Sequence, residues 1–437
     1  MFREFLAAAL VIAFYPQLPI SDLPPDLREQ AVDIEKARQQ YPDNPCILYQ
    51  VAAIYARAHR PDDALAALRE MASKHAGLDP RLRDGFQSLA GNPEFLHLKQ
   101  EIRRDTPPVR NAQPAFTIAE SDLIPEGVAW SEKQKRFYLG SLKRKIIEVD
   151  PAGRARDFVA PADNGLGVVV GLRVDDQRGE LWAASEQMAP HPGLVRGIFR
   201  YRLSDGMLLA KYPVRDGEAD LVNDLVVAPD GALYATATNS GSLVRIRHGS
   251  ATAEIFFPPH SLPDPNGITV SRDGRFLFVG GWYGITRVDL KTKQTQLLKS
   301  SPQIAAGCFD GLYEYHGDLV GIQNCVHDTG RVLRLHLNSA RDTILSAQVL
   351  ESYNPLFDGV TTGAIAGHRF YFMANTQIHK IGPDGSVPAG VWFNPIHVLQ
   401  VDLNRSPTPT EPHSHSWTCH PERSEAPAER SRKPALS

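Results

Sequence analysis

From residue 126 onward, six short segments place a polar or small residue before an aliphatic run. They open at residues 126, 170, 223, 266, 310 and 358, so that successive openings lie 44, 53, 43, 44 and 48 residues apart. Oxygen ligands from several segments suit a hard cation, above all Ca²⁺, which accepts six to eight of them in flexible geometry. Five openings carry a side-chain oxygen, and one does not: Glu126, Asn223, Asn266, Asp310 and Asp358, against Val170.

Asn-Gly and Asp-Gly are also common turn dipeptides, so any single opening could be an ordinary strand entry. Five oxygen carriers in register favour a metal site instead, because turn chemistry gives no reason for Glu126. The pattern therefore predicts a divalent-metal site if the fold brings the segments together. Ca²⁺ fits best, and Zn²⁺, Mg²⁺ and Mn²⁺ remain alternatives.

The spacing is typical of a four-stranded propeller blade. A second strand pattern follows each opening after about ten residues, and a third comes later, the last of these at QIHKIG from residue 377. Turn residues such as Asp230-Gly231 and Asp273-Gly274 separate the first two strands. We predict an all-β six-bladed β-propeller over residues 115–400. The first strand of each blade should line the central channel, so the openings form a ring.

Residues 26–105 have the composition and periodicity of helices, with loops at PDNP (42–45) and RPDD (60–63). One stretch resembles a tetratricopeptide repeat, and a repeat stack normally needs about three units. We predict a small α-helical, tetratricopeptide-like domain that caps the propeller or docks a protein partner, followed by a linker at 106–114. The residues that carry the resemblance are Leu48, Ala52, Tyr55, Ala64 and Leu68.

The two ends of the chain differ from its interior. The apolar run at residues 5–14 is too short to span a bilayer. Residues 1–20 have the length of a signal peptide but a weakly basic start and no clear cleavage site, so export and retention both stay open. Residues 404–437 are rich in Pro, Ser, Glu, Arg and His, which predicts a disordered tail.

Charge and motifs exclude several function classes. The chain has 47 basic and 50 acidic residues, a net charge of −3, without a long run of either sign. No footprint for nucleic acid or an anionic membrane follows, so small molecules or proteins are the expected partners. The sequence has neither a CxxC motif nor the G-x-S-x-G motif of serine hydrolases.

Residues 116–390 resemble the family of senescence marker protein, gluconolactonase and luciferin-regenerating enzyme. The resemblance implies a six-bladed propeller with one catalytic divalent metal on its axis, acting on a lactone or related ester. It also implies that Asp310 activates water or attacks directly, and that Asn223 binds metal or substrate. The matching motifs are EGVAW with Glu126, VNDL with Asn223, PNGI with Asn266 and FDGL with Asp310.

The chain departs from this family at three positions. Val128 stands where the first motif commonly has Pro, and Leu221 and Leu225 stand where Arg and Gly often flank the Asn of blade three. An Arg supplies a rigid donor fork for oxygen-rich ligands. The loss of this Arg makes a sugar-acid lactone less certain as the substrate. It affects the predicted fold and metal site less.

Further residues are expected near the pocket. Asp358 repeats the FDG of Asp310, and at the start of blade six it would lie beside Glu126 as a proton donor or as a partner that orients Glu126. Second strands run antiparallel to the first, so their ends return to the same rim. These ends carry candidate substrate-binding residues: Glu186, Asn239, Trp282, Asn324 and Asn375.

Two alternative functions are weighed against the hydrolase. A non-catalytic propeller with a structural metal and a helical docking segment agrees with the missing Arg. A strictosidine-synthase-like propeller lacks an acid placed for a condensation. Separately, a hairpin that turns at 316–318 would set Cys308 nearly opposite Cys325, at a separation that a disulfide can bridge.

Overall fold

The computed structural model describes residues 19–188, 191–215, 217, 219–324, 329–382 and 384–405. The proposed signal peptide, apart from its last two residues, and the predicted tail beyond residue 405 lie outside this range. Within it, no helix is long and apolar enough to cross a membrane.

Four α-helices precede the β region of the described chain. Each begins at a proline, which suits the first turn because its missing N–H would have no helical acceptor there. Asn44 caps α2 by accepting from the backbone N–H groups of Cys46 and Ile47, and Asn92 caps α4 in the same way. The helices are α1 (Pro25–Gln40), α2 (Pro45–Arg57), α3 (Pro61–Ser73) and α4 (Pro93–Asp105).

Short 3₁₀ turns punctuate the described chain. Two of them connect α3 to α4, and one lies in the last blade. They span Ile20–Asp22, Leu82–Asp84, Gln87–Leu89, Ser121–Leu123, Asp163–Gly165 and Ile378–Lys380.

The described β region forms six four-stranded antiparallel sheets, which confirms the predicted six-bladed propeller. Blades one to three are β2 (Pro125–Ser131), β3 (Arg136–Ser141), β4 (Ile146–Val149), β5 (Ala155–Val159); β6 (Val168–Asp175), β7 (Glu180–Glu186), β8 (Gly197–Arg202), β9 (Leu208–Pro213); and β10 (Val222–Val227), β11 (Leu233–Ala237), β12 (Ser242–Ile246), β13 (Glu254–Phe257).

Blades four and five continue the same order, and the first strands of neighbouring blades contact each other around the centre. Their strands are β14 (Ile268–Val270), β15 (Phe276–Gly280), β16 (Ile285–Asp289), β17 (Thr295–Leu297); and β18 (Phe309–Tyr315), β19 (Asp318–Gln323), β20 (Arg331–Leu337), β21 (Ile344–Ser352).

Blade six closes the ring with a strand from the other end of the β region. It contains β22 (Gly363–Ala366), β23 (Arg369–Met373) and β24 (Ile396–Asp402), and its outer strand is β1 (Gln113–Ile118). Gln113 pairs with Gln400 in this antiparallel contact. The closure leaves no unpaired junction between the first and last blades.

The predicted strands of blade six were wrong in two places. Its first strand begins at Gly363 rather than at Asp358, and residues 378–380 form a 3₁₀ turn rather than a third strand. The third strand is β24, which follows a connection of 22 residues after Met373. The repeated FDG motif misplaced the opening, because an Asp-Gly pair also suits a loop.

The helical segment packs directly on the propeller. Its apolar core includes Ala305 and Cys308 from the loop before β18, and Trp282 and Tyr283 pack against it. Asn44 donates to the Tyr283 carbonyl at 2.8 Å. The helices and blades four and five therefore share one core.

Cys308 is disulfide-bonded, whereas Cys46 is a free, buried thiol. The β18–β19 hairpin pairs Tyr315 with Asp318, as the sequence analysis assumed, although the register slips by one between Phe309 and Leu312. Cys325 lies outside the described residues, so its pairing with Cys308 stays a prediction.

We expect the purified protein to weigh about 2 Da less than its fully reduced form, because each disulfide removes two hydrogens. Intact-mass spectrometry with and without reductant measures the difference, and peptide mapping identifies the partner. Cys325→Ser should abolish the difference. A partner other than Cys325 would contradict the assignment.

Candidate metal and active site

Three of the predicted ligands meet where the first strands begin. Glu126 lies on β2 and Asp310 on β18, each with only 7% of its surface exposed, and Asn266 lies just before β14. The register of the first two strands slips at this level in blades one and five, between Pro125 and Val128 and between Phe309 and Leu312. Such irregularities turn a side chain away from the regular alternation of the strand.

Glycine beside the ring is required by the close approach of neighbouring blades. A Cβ on Gly127 would lie 2.6 Å from the Val170 carbonyl oxygen, and one on Gly267 would lie 2.4 Å from that of Asp310. Both distances are shorter than van der Waals contact. These two glycines thus let the first strands of neighbouring blades pack closely around the axis.

Asp310 is the centre of the hydrogen bonding in this cluster. Asn324 Nδ2 donates to Asp310 Oδ2 at 2.5 Å and to the Val360 carbonyl at 2.9 Å. The Asn266 side chain also hydrogen-bonds Asp310. These contacts bring a residue from the end of β19 into the ring and hold one carboxylate oxygen in place.

The cluster is electrostatically unfavourable without a cation. Burial raises the pKa of Glu126, and the nearby charge of Asp310 raises it further. Burial likewise raises the pKa of Asp310, against the opposing hydrogen bond from Asn324. Two carboxylates held together out of water favour protonation or the binding of a positive charge.

Two oxygen atoms of this cluster have no hydrogen-bond partner among the described residues. They are Glu126 Oε2 and Asn266 Oδ1, and both are buried. Buried acceptors are normally satisfied, so an unsatisfied pair beside a second carboxylate fits a hard divalent cation. Within the described chain, no group of three or more His, Cys, Asp or Glu residues could hold a metal ion. Such a cation would depend on two carboxylates together with amide oxygens.

Sequence reasoning missed a buried ion pair next to the ring. Arg173 of β6 lies 3.1 Å from Asp224 Oδ2 and donates to the carbonyls of Ile268 and Leu312. It therefore links the first strands of blades two to five. Its guanidinium also stacks 4.7 Å from the ring centre of Tyr313. The available signal was Asp224 itself, which occupies the place that glycine takes in the other motifs.

Residues 124–336 match the family model described as "SMP-30/Gluconolactonase/LRE-like region". The match includes Glu126, Asn223, Asn266 and Asp310, the four positions of the predicted ligand set. The match confirms the predicted resemblance of this region to the SMP-30/gluconolactonase/LRE-like family. No curated protein sequence matches the chain.

Solved structures similar to the chain include three relatives of this SMP-30/gluconolactonase/LRE-like region. A gluconolactonase, XC5397 from Xanthomonas campestris, is 17% identical, with 67% of this chain and 90% of that one covered and a TM-score of 0.47. The calcium-binding protein regucalcin from Agrobacterium tumefaciens strain C58 is 16% identical over 65% and 94% of the two chains, with a TM-score of 0.45. A luciferin-regenerating enzyme is 12% identical over 67% and 96%, with a TM-score of 0.45.

Asn223, the fourth predicted ligand, lies at the same rim but is linked to the cluster indirectly. Its Nδ2 donates to Thr238 Oγ1 at 3.0 Å, and Thr238 donates to the Pro265 carbonyl at 2.7 Å. Pro265 precedes Asn266. The described contacts thus make Asn223 a support for the loop that carries Asn266.

The five candidate substrate-binding residues at the rim differ in environment. Glu186 is buried, accepts from the Val222 N–H at 2.6 Å and pairs with Arg196 at 2.9 Å. Asn375 is also buried; it donates to the Pro395 carbonyl and accepts from the His397 N–H of β24. Of the others, Trp282 packs on the helical core, Asn239 is exposed and Asn324 contacts Asp310. Their substrate roles remain predictions.

Asp358 does not occupy the ring position that the repeat predicted for it. It precedes β22 by five residues, and its carboxylate, about a third exposed, pairs with His379 at 3.1 Å and Lys380 at 3.0 Å. Thr362 instead approaches Glu126, donating to its carbonyl at 2.5 Å. The expected place of Asp358 beside Glu126 is therefore wrong.

Proposed function

We propose that this protein is a metal-dependent hydrolase of a lactone or related ester. The observation that carries the proposal is the pair of buried, unpartnered oxygens, Glu126 Oε2 and Asn266 Oδ1, beside the carboxylate of Asp310. The family of residues 124–336 includes gluconolactonases in its description, which supports the same reaction class.

Glu126, Asn266 and Asp310 would hold a divalent cation, with Ca²⁺ the best match for an all-oxygen set. When bound, the ion supplies Lewis-acid polarisation of the substrate carbonyl and stabilises the developing oxyanion. Asp310 accepts the proton of the attacking water. The water oxygen bonds to the carbonyl carbon, the C–O bond to the alkoxide breaks, and the alkoxide takes up a proton to leave as an alcohol.

Asn324 has a positioning task in this reaction. It donates to Oδ2 of Asp310 and so restricts the rotation of that carboxylate. A general base works only when it is held within hydrogen-bond reach of the proton that it removes. The Asn324 bond therefore helps to fix the orientation of the Asp310 carboxylate.

One cavity is lined in part by the candidate substrate residue Glu186, although neither Glu126 nor Asp310 belongs to its lining. It lies between the ends of blades one and two and measures about 580 Å³, within the roughly 300–1,000 Å³ typical of small-molecule sites. Its lining combines charged groups of both signs with apolar side chains, among them Lys143, Arg144, Val168, Glu186 and Leu194. A polar lactone or ester of modest size matches this mixture.

A panel of sugar lactones, aliphatic lactones and simple esters tests the function. We expect at least one substrate to be hydrolysed with Ca²⁺ present, with activity lost in excess chelator and restored by Ca²⁺, Mg²⁺, Mn²⁺ or Zn²⁺. Glu126→Gln should remain folded and lose the metal response. No turnover across the panel, or turnover unaffected by chelator, would count against the proposal.

Chelator should also lower the melting temperature. An ion bound only by the folded state stabilises it by RT ln(1 + [L]/Kd), about 2.7 kcal/mol when the free ion exceeds Kd a hundredfold. Differential scanning calorimetry of the parent and of Glu126→Gln, with and without chelator, measures the effect. A melting curve of the parent that does not change with chelator would exclude a tightly bound ion.

The alternative of a non-catalytic protein-docking propeller has less support. Asn44 and Arg81 of the helical segment bond to the propeller, and the buried Cys46 lies against Gly307. These residues are consequently occupied within the chain. The likeness to a tetratricopeptide repeat remains a prediction.

A further inference from the structure

The segment that joins α3 to α4 reaches from the helical segment to the rim of the site. Residues 76–84 of this segment, called here the cap loop, are fastened to the propeller at several points. Arg331 of β20 is buried and donates to the carbonyls of Ala76 and Gly77. Tyr353 donates to Asp79 at 3.2 Å.

Arg81 of the cap loop contacts a residue of the site. Its Nη1 donates to the backbone carbonyl of Asn324, the residue whose side chain binds Asp310 Oδ2. Only 8% of Arg81 is exposed. A single residue of the propeller thus connects the guanidinium to the carboxylate.

Arg81 is itself held rigidly by the helical segment. Its Nε and Nη2 donate to the two oxygens of Asp84 at 2.8 and 2.6 Å, a forked geometry that fixes the guanidinium plane. Tyr49 of α2 donates to Asp84 at 2.6 Å and accepts from the Arg81 N–H at 3.1 Å. The chain of contacts runs from the core of the helices to the site.

We infer that Arg81 is a positioning residue for the hydrolysis, because it fixes Asn324 and through it the orientation of Asp310. This rests on the proposed function. On this inference, the helical segment contributes a positioning residue to the site. Arg81 acts on Asp310 through Asn324. Its hydrogen bonds to Asp84 and to the Asn324 carbonyl hold these residues in place.

Arg81→Met tests the inference, since it removes the donor fork and keeps much of the side-chain length. We expect kcat to fall about 10- to 100-fold, the usual cost of a misplaced catalytic group, with KM unchanged. Added guanidinium ion, well below denaturing concentrations, should restore part of kcat.

Tyr353→Phe is the matched control, because it removes a different hydrogen bond between the cap loop and the propeller. It should leave kcat at the parent value and lower the melting temperature less than Arg81→Met does, because Asp79 keeps its ion pairs with Lys99 and Arg103. A parent-like kcat in Arg81→Met, or an equal loss in both variants, would overturn the inference. If Arg81→Met does not fold, Arg81→Lys replaces it, since one ammonium cannot reach Asp84 and Asn324 together. A parent-like kcat in that variant would also overturn it.

A readout independent of activity separates this inference from the proposed function. In protein labelled with ¹⁵N-asparagine, the side-chain amide signal of Asn324 should shift or broaden in Arg81→Met and stay unchanged in Tyr353→Phe. If the parent hydrolyses no lactone or ester, the proposed function fails and this signal alone decides whether Arg81 fixes Asn324. An unchanged signal in Arg81→Met would overturn the inference.

Discussion

Asp310→Ala is expected to abolish hydrolysis while the protein stays folded. The variant removes the proposed proton acceptor and one carboxylate of the metal cluster, a loss of about 10²–10⁴-fold in kcat for the base alone. The fold should tolerate the change, because Asp310 is one of two buried carboxylates whose negative charges repel each other. Steady-state kinetics on a substrate of the parent, together with calorimetry, measure both effects.

Asp358→Asn is the matched control for this variant. Asp358 belongs to the same FDG motif, but its carboxylate faces His379 and Lys380 rather than the ring. Its activity should equal that of the parent. Activity retained in Asp310→Ala would remove Asp310 from the mechanism.

Arg173→Met should destabilise the protein strongly, by about 3–5 kcal/mol, because it leaves the buried Asp224 carboxylate without its partner. Both residues lie close to the axis, and Arg173 links four blades through one side chain. Urea unfolding gives the free-energy change. The double variant Arg173→Met with Asp224→Asn should recover part of it, since no unpaired charge remains.

An exposed ion pair supplies the control for this comparison. Arg154 pairs with Asp150 at 2.7 Å, but 84% of the Arg154 side chain is exposed. Surface pairs contribute about 0–1 kcal/mol, so Arg154→Met should cost little. Equal losses of unfolding free energy in Arg173→Met and Arg154→Met would show that the buried pair contributes no more to stability than the exposed one.

The propeller was predictable from the sequence because its repeating unit is local. Each blade contains its own alternating strands and turn residues, and the period of the openings reports the number of blades. Glu126, Asn266 and Asp310 followed from that period, since equivalent positions of a ring must meet at its axis. The family resemblance at EGVAW, PNGI and FDGL strengthened the same three positions.

Blade six was misread because a motif was given more weight than its setting. The FDG of Asp358 repeats that of Asp310, yet the chain continues through Val360 and Thr361 before the strand begins at Gly363. The carboxylate of Asp358 finds its partners in the 3₁₀ turn that follows β23. A strand opening and a loop can use the same Asp-Gly pair, so only the pairing of the strands distinguishes them.

The sequence predicted the helices and left open whether they cap the propeller or dock a protein. The helix starts follow from local signals, such as Asn44 before Pro45. The partners of Cys46 and Arg81 lie on distant blades, and no periodicity within residues 26–105 encodes them. The same distance conceals the pairing of Arg173 with Asp224, which depends on the closed ring.

The contact between Asn44 and Tyr283 has a consequence for biosynthesis. The two residues are 239 positions apart. At about 5–20 residues per second, the ribosome needs on the order of 10–50 s to deliver the second after the first. During that interval the apolar side of α2 has emerged without the surface that covers it. The nascent chain should therefore bind a chaperone over this stretch, until blades four and five have been synthesised.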